Sequence, residues 1–318
     1  MKVQPAIAVE PTVFRQPNAR RVWRSIKKSR FFYAMFAIPL VYFIVFHYIP
    51  MFGIVIAFKD YSVFKGIAGS EWVGMEYFRD FLSDPYFYKL IRNTLVIGLY
   101  QILFAFPAPI ILALLLNELR NQLFKRFVQT VSYLPHFLST VVVCGILVNF
   151  LSFDGIVNQF LQFLGLRPVH FLMIPDWFRT IYVSSEIWQG VGWGSIIYLA
   201  ALTNIDPQLY EAARMDGANR WKQIRHVTLP GIAPTIIIML LFSIGAIMSV
   251  SFEKVLLLSN GANFETSDII ATYVYRRGLV SSDFSYATAV GLFNSVIALI
   301  FLSIGNAISK KVSETSLW

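Results

Sequence analysis

The sequence predicts an all-α membrane protein of six transmembrane helices, with both termini cytoplasmic and one long helical loop between the fourth and fifth spans. Three observations carry that prediction. Of the 318 residues, 56% are hydrophobic and only 14% charged, whereas soluble domains have about a quarter of their residues charged. Predominantly apolar stretches of roughly the 20 residues needed to cross a bilayer recur along the chain. The segments between them alternate in Lys and Arg content, as the sides of a membrane do.

Residues 1–30 form a basic tail. Its stretch RQPNARRVWRSIKKSR lacks the short apolar core and small-residue cleavage site of a removable signal peptide, so the first span is expected to stay as an anchor. The spans are expected near 31–58, 93–116, 127–152, 180–203, 231–252 and 285–308, within a membrane domain 31–308 followed by a short tail 309–318. Segments 15–30, 117–126, 204–230 and 309–318 carry 7, 3, 4 and 2 basic residues against 0, 1, 3 and 1 acidic ones. Segments 59–90, 153–179 and 253–284 carry 4, 2 and 3 basic against 5, 2 and 4 acidic. The first set is therefore expected inside. On this reading the net charge of +9 reflects orientation in the membrane and not nucleic-acid binding. The single cysteine, Cys144, lies in the run TVVVCGILV and is expected to be buried as a small hydrophobe.

The loop 206–230 contains LYEAARMDGANRWKQIRHVTLP, a charged stretch between two strongly apolar ones. Asp206 suits an N-cap and Pro207 the first helical position, so a helix over about 207–215 follows. Gly217 is expected to end it, because glycine enters the left-handed region without steric cost. A second helix begins in RWKQIRHV, with Trp221, Ile224 and Val227 expected on one face. A plain solvated loop or a DNA-reading helix-turn-helix are the competing readings, and the second is disfavoured because both ends run directly into membrane spans.

Glu211, Ala212 and Ala213, then Asp216 and Gly217, then Leu229 and Pro230 resemble the EAA motif of permease subunits in bacterial ABC importers, with Val227 standing where the family favours Ile. The phrases YIPMFGIVIAFKDYSVFKG, WVGMEYFRDFLSDPYFYKLIRNTL, NELRNQLFKRFVQTVSYLPHF and VYRRGLVSSDFSYATAVGLFNSV resemble oligosaccharide and polysaccharide permeases, closest to those of alginate importers. The resemblance implies a type I importer permease in the bacterial cytoplasmic membrane, taking an acidic oligosaccharide or polysaccharide. It implies that the two short helices dock on a cytoplasmic ATPase, with Glu211 accepting charged hydrogen bonds and the two alanines allowing close approach. It also implies a second permease subunit, two ATPase subunits carrying ATP and Mg, and an extracytoplasmic solute-binding protein.

No G-x-x-x-x-G-K-[ST] loop is present, so no cofactor is expected on this chain, and ATP hydrolysis is expected elsewhere. Gly190, Gly192 and Gly194 fall inside an apolar span and are expected to serve close helix packing. His47, His136, His170 and His226 show no metal-ligand spacing, and no nucleophile elbow occurs, so neither a catalytic nor a metal site is expected. Ionisable groups inside spans point to function by default, which singles out Glu186, with Glu253 and its neighbour Lys254 at the outer end of the fifth span. Snorkelling or mutual neutralisation is the competing account. Sugars need flat apolar faces beside hydrogen-bonding groups, a combination offered by Trp188, Gln189, Trp193, Ser249, Ser251, Asn294 and Ser295. The rival class is an ion-gradient-driven secondary transporter, which would more often show inverted repeats and ion-binding carboxylates at the midplane. A purely structural packing protein is a weaker third.

Overall fold

The computed structural model describes residues 28–313; the expected N-terminal tail lies almost wholly outside them, as does 314–318 of the expected C-terminal tail, whose first half, 309–313, is helical. Contacts divide the chain into two units, Met1–Ile54 and Val55–Trp318. In the first, α1 (Arg30–Phe43) tolerates Pro39 and continues through a π turn at Ile44–Tyr48. The run Arg30–Phe58 has 29 residues and contains an 18-residue stretch with a mean hydropathy of 2.2. Its large side chains, among them Phe32, Met35 and Ile38, are exposed, a surface stable only against lipid or protein.

In the second unit a two-stranded antiparallel hairpin, β1 (Lys59–Asp60) and β2 (Glu71–Trp72), leads to α2 (Glu76–Ser83). The second span is α3 (Phe87–Tyr100), a π turn at Gln101–Ala105, and α4 (Pro107–Glu118). The third departs from the continuous helix expected over 127–152. It is broken into α5 (Gln122–Tyr133), a 3-10 turn at Leu134–Phe137, and α6 (Thr140–Leu151), after which α7 (Ile156–Phe163) follows. Pro135 has no N–H to continue the ladder, and Ser139 restarts it by capping the Val142 amide at 3.3 Å.

The fourth span is one uninterrupted helix, α8 (Pro175–Leu202), 28 residues long. Among the described residues five helical runs are long and apolar enough to cross a membrane; α8 has the length but is more polar. It packs on α4, α5 and α11 (Leu229–Gly245). The fifth span is shorter than the expected 231–252. It ends at Gly245, passes through non-helical residues 246–251, and resumes as α12 (Phe252–Leu258). Two short helices, α13 (Phe264–Ser267) and α14 (Ile270–Tyr275), precede α15 (Phe284–Ser313), which spans alone with 30 residues.

The core lies around α8. Cys144 is buried with Ile97, Phe178, Tyr182, Val250 and Val255. A Cβ on Gly192 would collide with the Ser132 backbone, and one on Gly194 would meet Pro109 at 2.9 Å, whereas Gly190 has open space. Close packing thus accounts for two of the three glycines, and Gly190 needs another reason.

Candidate functional site

The polar loop folds into α9 (Pro207–Met215) and the single turn α10 (Arg220–Gln223). The Asp206 carboxylate accepts from the Gln208 amide at 2.9 Å, capping α9. Gly217 ends it with φ +74°. The Ala218 amide reaches back to the Ala213 carbonyl at 2.9 Å and the Gly217 amide to Arg214 at 3.0 Å, which is the Schellman closure that needs a left-handed residue. Asn219 then caps α10 through the Lys222 amide at 2.9 Å. From α10 the chain passes a π turn at Ile224–Thr228 directly into α11, giving one run Arg220–Gly245. Leu229 and Pro230 are its junction with the membrane helix.

This geometry makes α10 a lever continuous with the fifth span. Tyr210 on α9 and the buried Thr228 on the lever share a hydrogen bond of 3.0 Å, and Arg220 forms an ion pair with Glu118 at the end of the second span. The element is therefore joined to three spans, since Thr203–Asp206 also tie α9 to the end of α8. Its outer face is unpaired. Glu211, Ala212, Asp216 and Gly217 are exposed, and so are Leu209, Met215 (89%) and Trp221 (78%). Trp221 is exposed and does not share a buried face with Ile224 and Val227, both half-buried.

The second constellation sits on one stripe of α8. Tyr182, Glu186 and Gln189 recur at helical spacing, so they share a face. Glu186 forms an ion pair with Lys254, whose side chain is 2% exposed. The Lys254 ammonium also donates to Gln189 Oε1 at 2.9 Å, and Gln189 Nε2 donates to the Leu138 carbonyl at 3.1 Å. The Tyr182 hydroxyl accepts from the Ser251 amide at 3.2 Å, and Gln101 approaches it at 3.5 Å. The stripe thus satisfies backbone at the breaks of both the third and the fifth spans, the condition under which non-helical backbone is tolerated at membrane depth.

The remaining residues singled out from the sequence are spread over neighbouring surfaces. Ser249 lines a cleft of about 310 Å³ with Gln101, Pro109, Gly194, Tyr198 and Ser243. Asn294 donates to the Met248 carbonyl at 3.3 Å, holding the same break from the α15 side. Trp193 is stacked on His136 at 4.5 Å and meets Phe137 edge-on. Trp188 lines a different groove, with Leu147, Phe171 and Trp177. Ser295 bonds its own helix at the Gly291 carbonyl. Glu253 is exposed, and the partner of Glu186 is its neighbour Lys254. Sequence reasoning misses Tyr182 and Gln101, and it singles out Lys254 only as the neighbour of Glu253, not as the partner of Glu186. The spacing of Tyr182, Glu186 and Gln189 was available in the sequence, but the break that brings Ser251 and Lys254 to them was not.

Among the described residues no group of His, Cys, Asp or Glu side chains could hold a metal. Outside the spans, burial acts to raise the Asp84 carboxyl, but the Tyr86 amide, the Tyr273 and Tyr286 hydroxyls and Arg277 outweigh it and hold it below the usual carboxylate value.

Residues 105–314 match the family described as "Binding-protein-dependent transport system inner membrane component". The chain is 44% identical over 314 residues, 98% of either chain, to the polygalacturonan/rhamnogalacturonan transport system permease protein YteP of Bacillus subtilis (strain 168). It is 45% identical over 295 residues to Protein LplB of the same organism, covering 92% of this chain and 93% of that one. Among solved structures it is similar to a chain of the bacterial alginate ABC transporter in complex with alginate pentasaccharide-bound periplasmic protein, with TM-score 0.86, 42% identity and coverage of 93% and 100%. A chain of the MetNI methionine transporter shares the fold at 16% identity and TM-score 0.51.

Proposed function

The chain belongs to the binding-protein-dependent inner membrane components, the permeases of ABC importers, and from that premise we propose that it is one of two permease subunits carrying an acidic oligosaccharide or polysaccharide inward. The single observation that carries the assignment of a driven permease is the lever: an exposed two-helix element, hinged at Gly217 and continuous with the fifth span. ATP and Mg are then held by two separate cytoplasmic ATPase subunits, and a solute-binding protein delivers substrate at the opposite face. The acidic substrate rests on the relatives, one named for polygalacturonan and rhamnogalacturonan and one solved with alginate-bound periplasmic protein.

Glu211, Ala212, Ala213, Asp216 and Gly217 form the docking surface in this reading, and Leu229 and Pro230 form the joint that passes motion to α11. Closure of the ATPase dimer moves α9 and α10 together, because the Tyr210–Thr228 bond ties them. The same displacement reaches α4 through Arg220 and Glu118. The substrate path runs beside α8 and the broken fifth span, where Glu186, Gln189, Trp193, Ser249, Ser251 and Asn294 combine polar groups with an aromatic face; Trp188, Glu253 and Ser295 extend it toward its margins. Both termini and the segment 206–230 lie in the cytoplasm. Purified without partners, the chain should hydrolyse no ATP, and hydrolysis should appear only when the ATPase subunits are added. Turnover by the homogeneous chain would overturn the division of labour.

A further inference from the structure

Lys254 is the buried cation that the proposed path leaves unexplained. It lies in the first turn of α12, directly after non-helical residues 246–251, and is 1% exposed. A charge in that position is costly even when paired, and an apolar residue of similar size would often serve stability as well. Its carboxylate partner is unequally placed: the Glu186 side chain keeps 29% of its surface while the Lys254 side chain keeps 2%. An ammonium has three hydrogens. Two go to Glu186 and Gln189, and the Tyr182 ring at 6.0 Å from its nitrogen is the remaining neighbour with which it interacts.

Two other cations of the second unit with buried partners have different surroundings. Arg179 donates to the amide oxygen of Asn93 at 3.0 Å, and that amide in turn donates to the Glu265 and Asp268 carbonyls, so it is built into the packing of α13. Arg276 clasps the buried Asp268 with two bonds of 2.8 and 2.6 Å. Lys254 alone among these three follows a helix break and meets a half-exposed carboxylate. Parting Lys254 from Glu186 would present a poorly hydrated ammonium to whatever occupies the path.

Resting on the acidic-saccharide reading above, we propose that Lys254 reads the carboxylate of the transported sugar, with Glu186 as its counter-ion while the path is empty. Glu186 keeps the empty site neutral, and its carboxylate and the Gln189 amide are then free for sugar hydroxyls when a uronate takes the ammonium. A single neutral substitution would leave one charge buried and unpaired, so the informative variant removes both charges together.

The experiment uses the membrane complex of both permeases and both ATPases in lipid nanodiscs, without the binding protein, so that selection by the permease is read directly. A galacturonate trisaccharide and its carboxyl-reduced neutral counterpart are titrated at millimolar concentration by saturation-transfer NMR. The parental complex should favour the acidic sugar about tenfold or more, and the double variant Lys254→Gln/Glu186→Gln should bind both sugars with equal affinity. An acidic preference undiminished in the double variant overturns the role of Lys254. Loss of both sugars from a double variant that assembles at parental yield also overturns it, by making the pair structural. A parental complex with no acidic preference overturns the substrate reading on which the role rests.

Discussion

Gly217 is the residue where sequence and structure meet most directly. A glycine between two helix-forming halves implies a left-handed stop, and the chain has φ +74° there with the Schellman bonds that conformation permits. No neighbour lies within 4 Å of a Cβ built on it, so the cost of substitution is conformational. Gly217→Val should cost about 1–2 kcal/mol in the left-handed region, misplacing α10 without unfolding the spans. Glu211→Lys would instead reverse an exposed charge on the docking face. Both variants should insert normally but retain less ATPase subunit on purification. Parental yield of the complex, together with parental coupling of hydrolysis to uptake, would reduce the stretch to a connecting loop. Glu186 was legible as an acid inside a span; its partner was not. Adjacent Glu253 and Lys254 suggested a local neutral pair, whereas first-turn geometry in α12 directs Lys254 inward and leaves Glu253 exposed.

At the scale of elements, hydropathy located the membrane-crossing regions and lost their interruptions. A window of apolar residues reads 127–152 and 231–252 as continuous, because Pro135 and the Gly245–Ala246 stop barely alter mean hydropathy. What lets the chain break there is distant: Tyr182, Gln189 and Asn294 supply hydrogen bonds that the lost helical turns no longer make. Tyr182→Phe tests this. It leaves the Ser251 amide without its acceptor, and an unsatisfied buried group costs about 1–3 kcal/mol. Hydrogen exchange across 246–252 should accelerate by a corresponding factor while exchange in α15 stays unchanged. An unaltered rate in that peptide would mean that the break is held by packing alone. The two helices of the 206–230 element were better signalled, since Asp206, Pro207, Gly217 and Asn219 act within a few residues of themselves.

For the whole molecule, the alternation of basic segments yields an orientation that labelling can test. Cys144 is 2% exposed, so the parental chain gives a low background. An impermeant maleimide added outside intact spheroplasts should label Ser281→Cys and spare Met215→Cys, both positions being exposed; the opposite pattern inverts the topology. Assembly with partners is least legible in one chain, because an unpaired apolar surface looks alike whether lipid or protein covers it, and α1 shows such a surface over nearly its whole length. The central claim is that this permease is driven by ATP bound to other subunits and not by an ion gradient. Its most direct test is uptake of a galacturonate oligosaccharide into proteoliposomes holding both permeases and both ATPases, with loaded binding protein outside and ATP sealed inside. The account predicts accumulation that needs internal ATP and persists when ionophores collapse every ion gradient; accumulation that proceeds without ATP and vanishes with the gradient would contradict it.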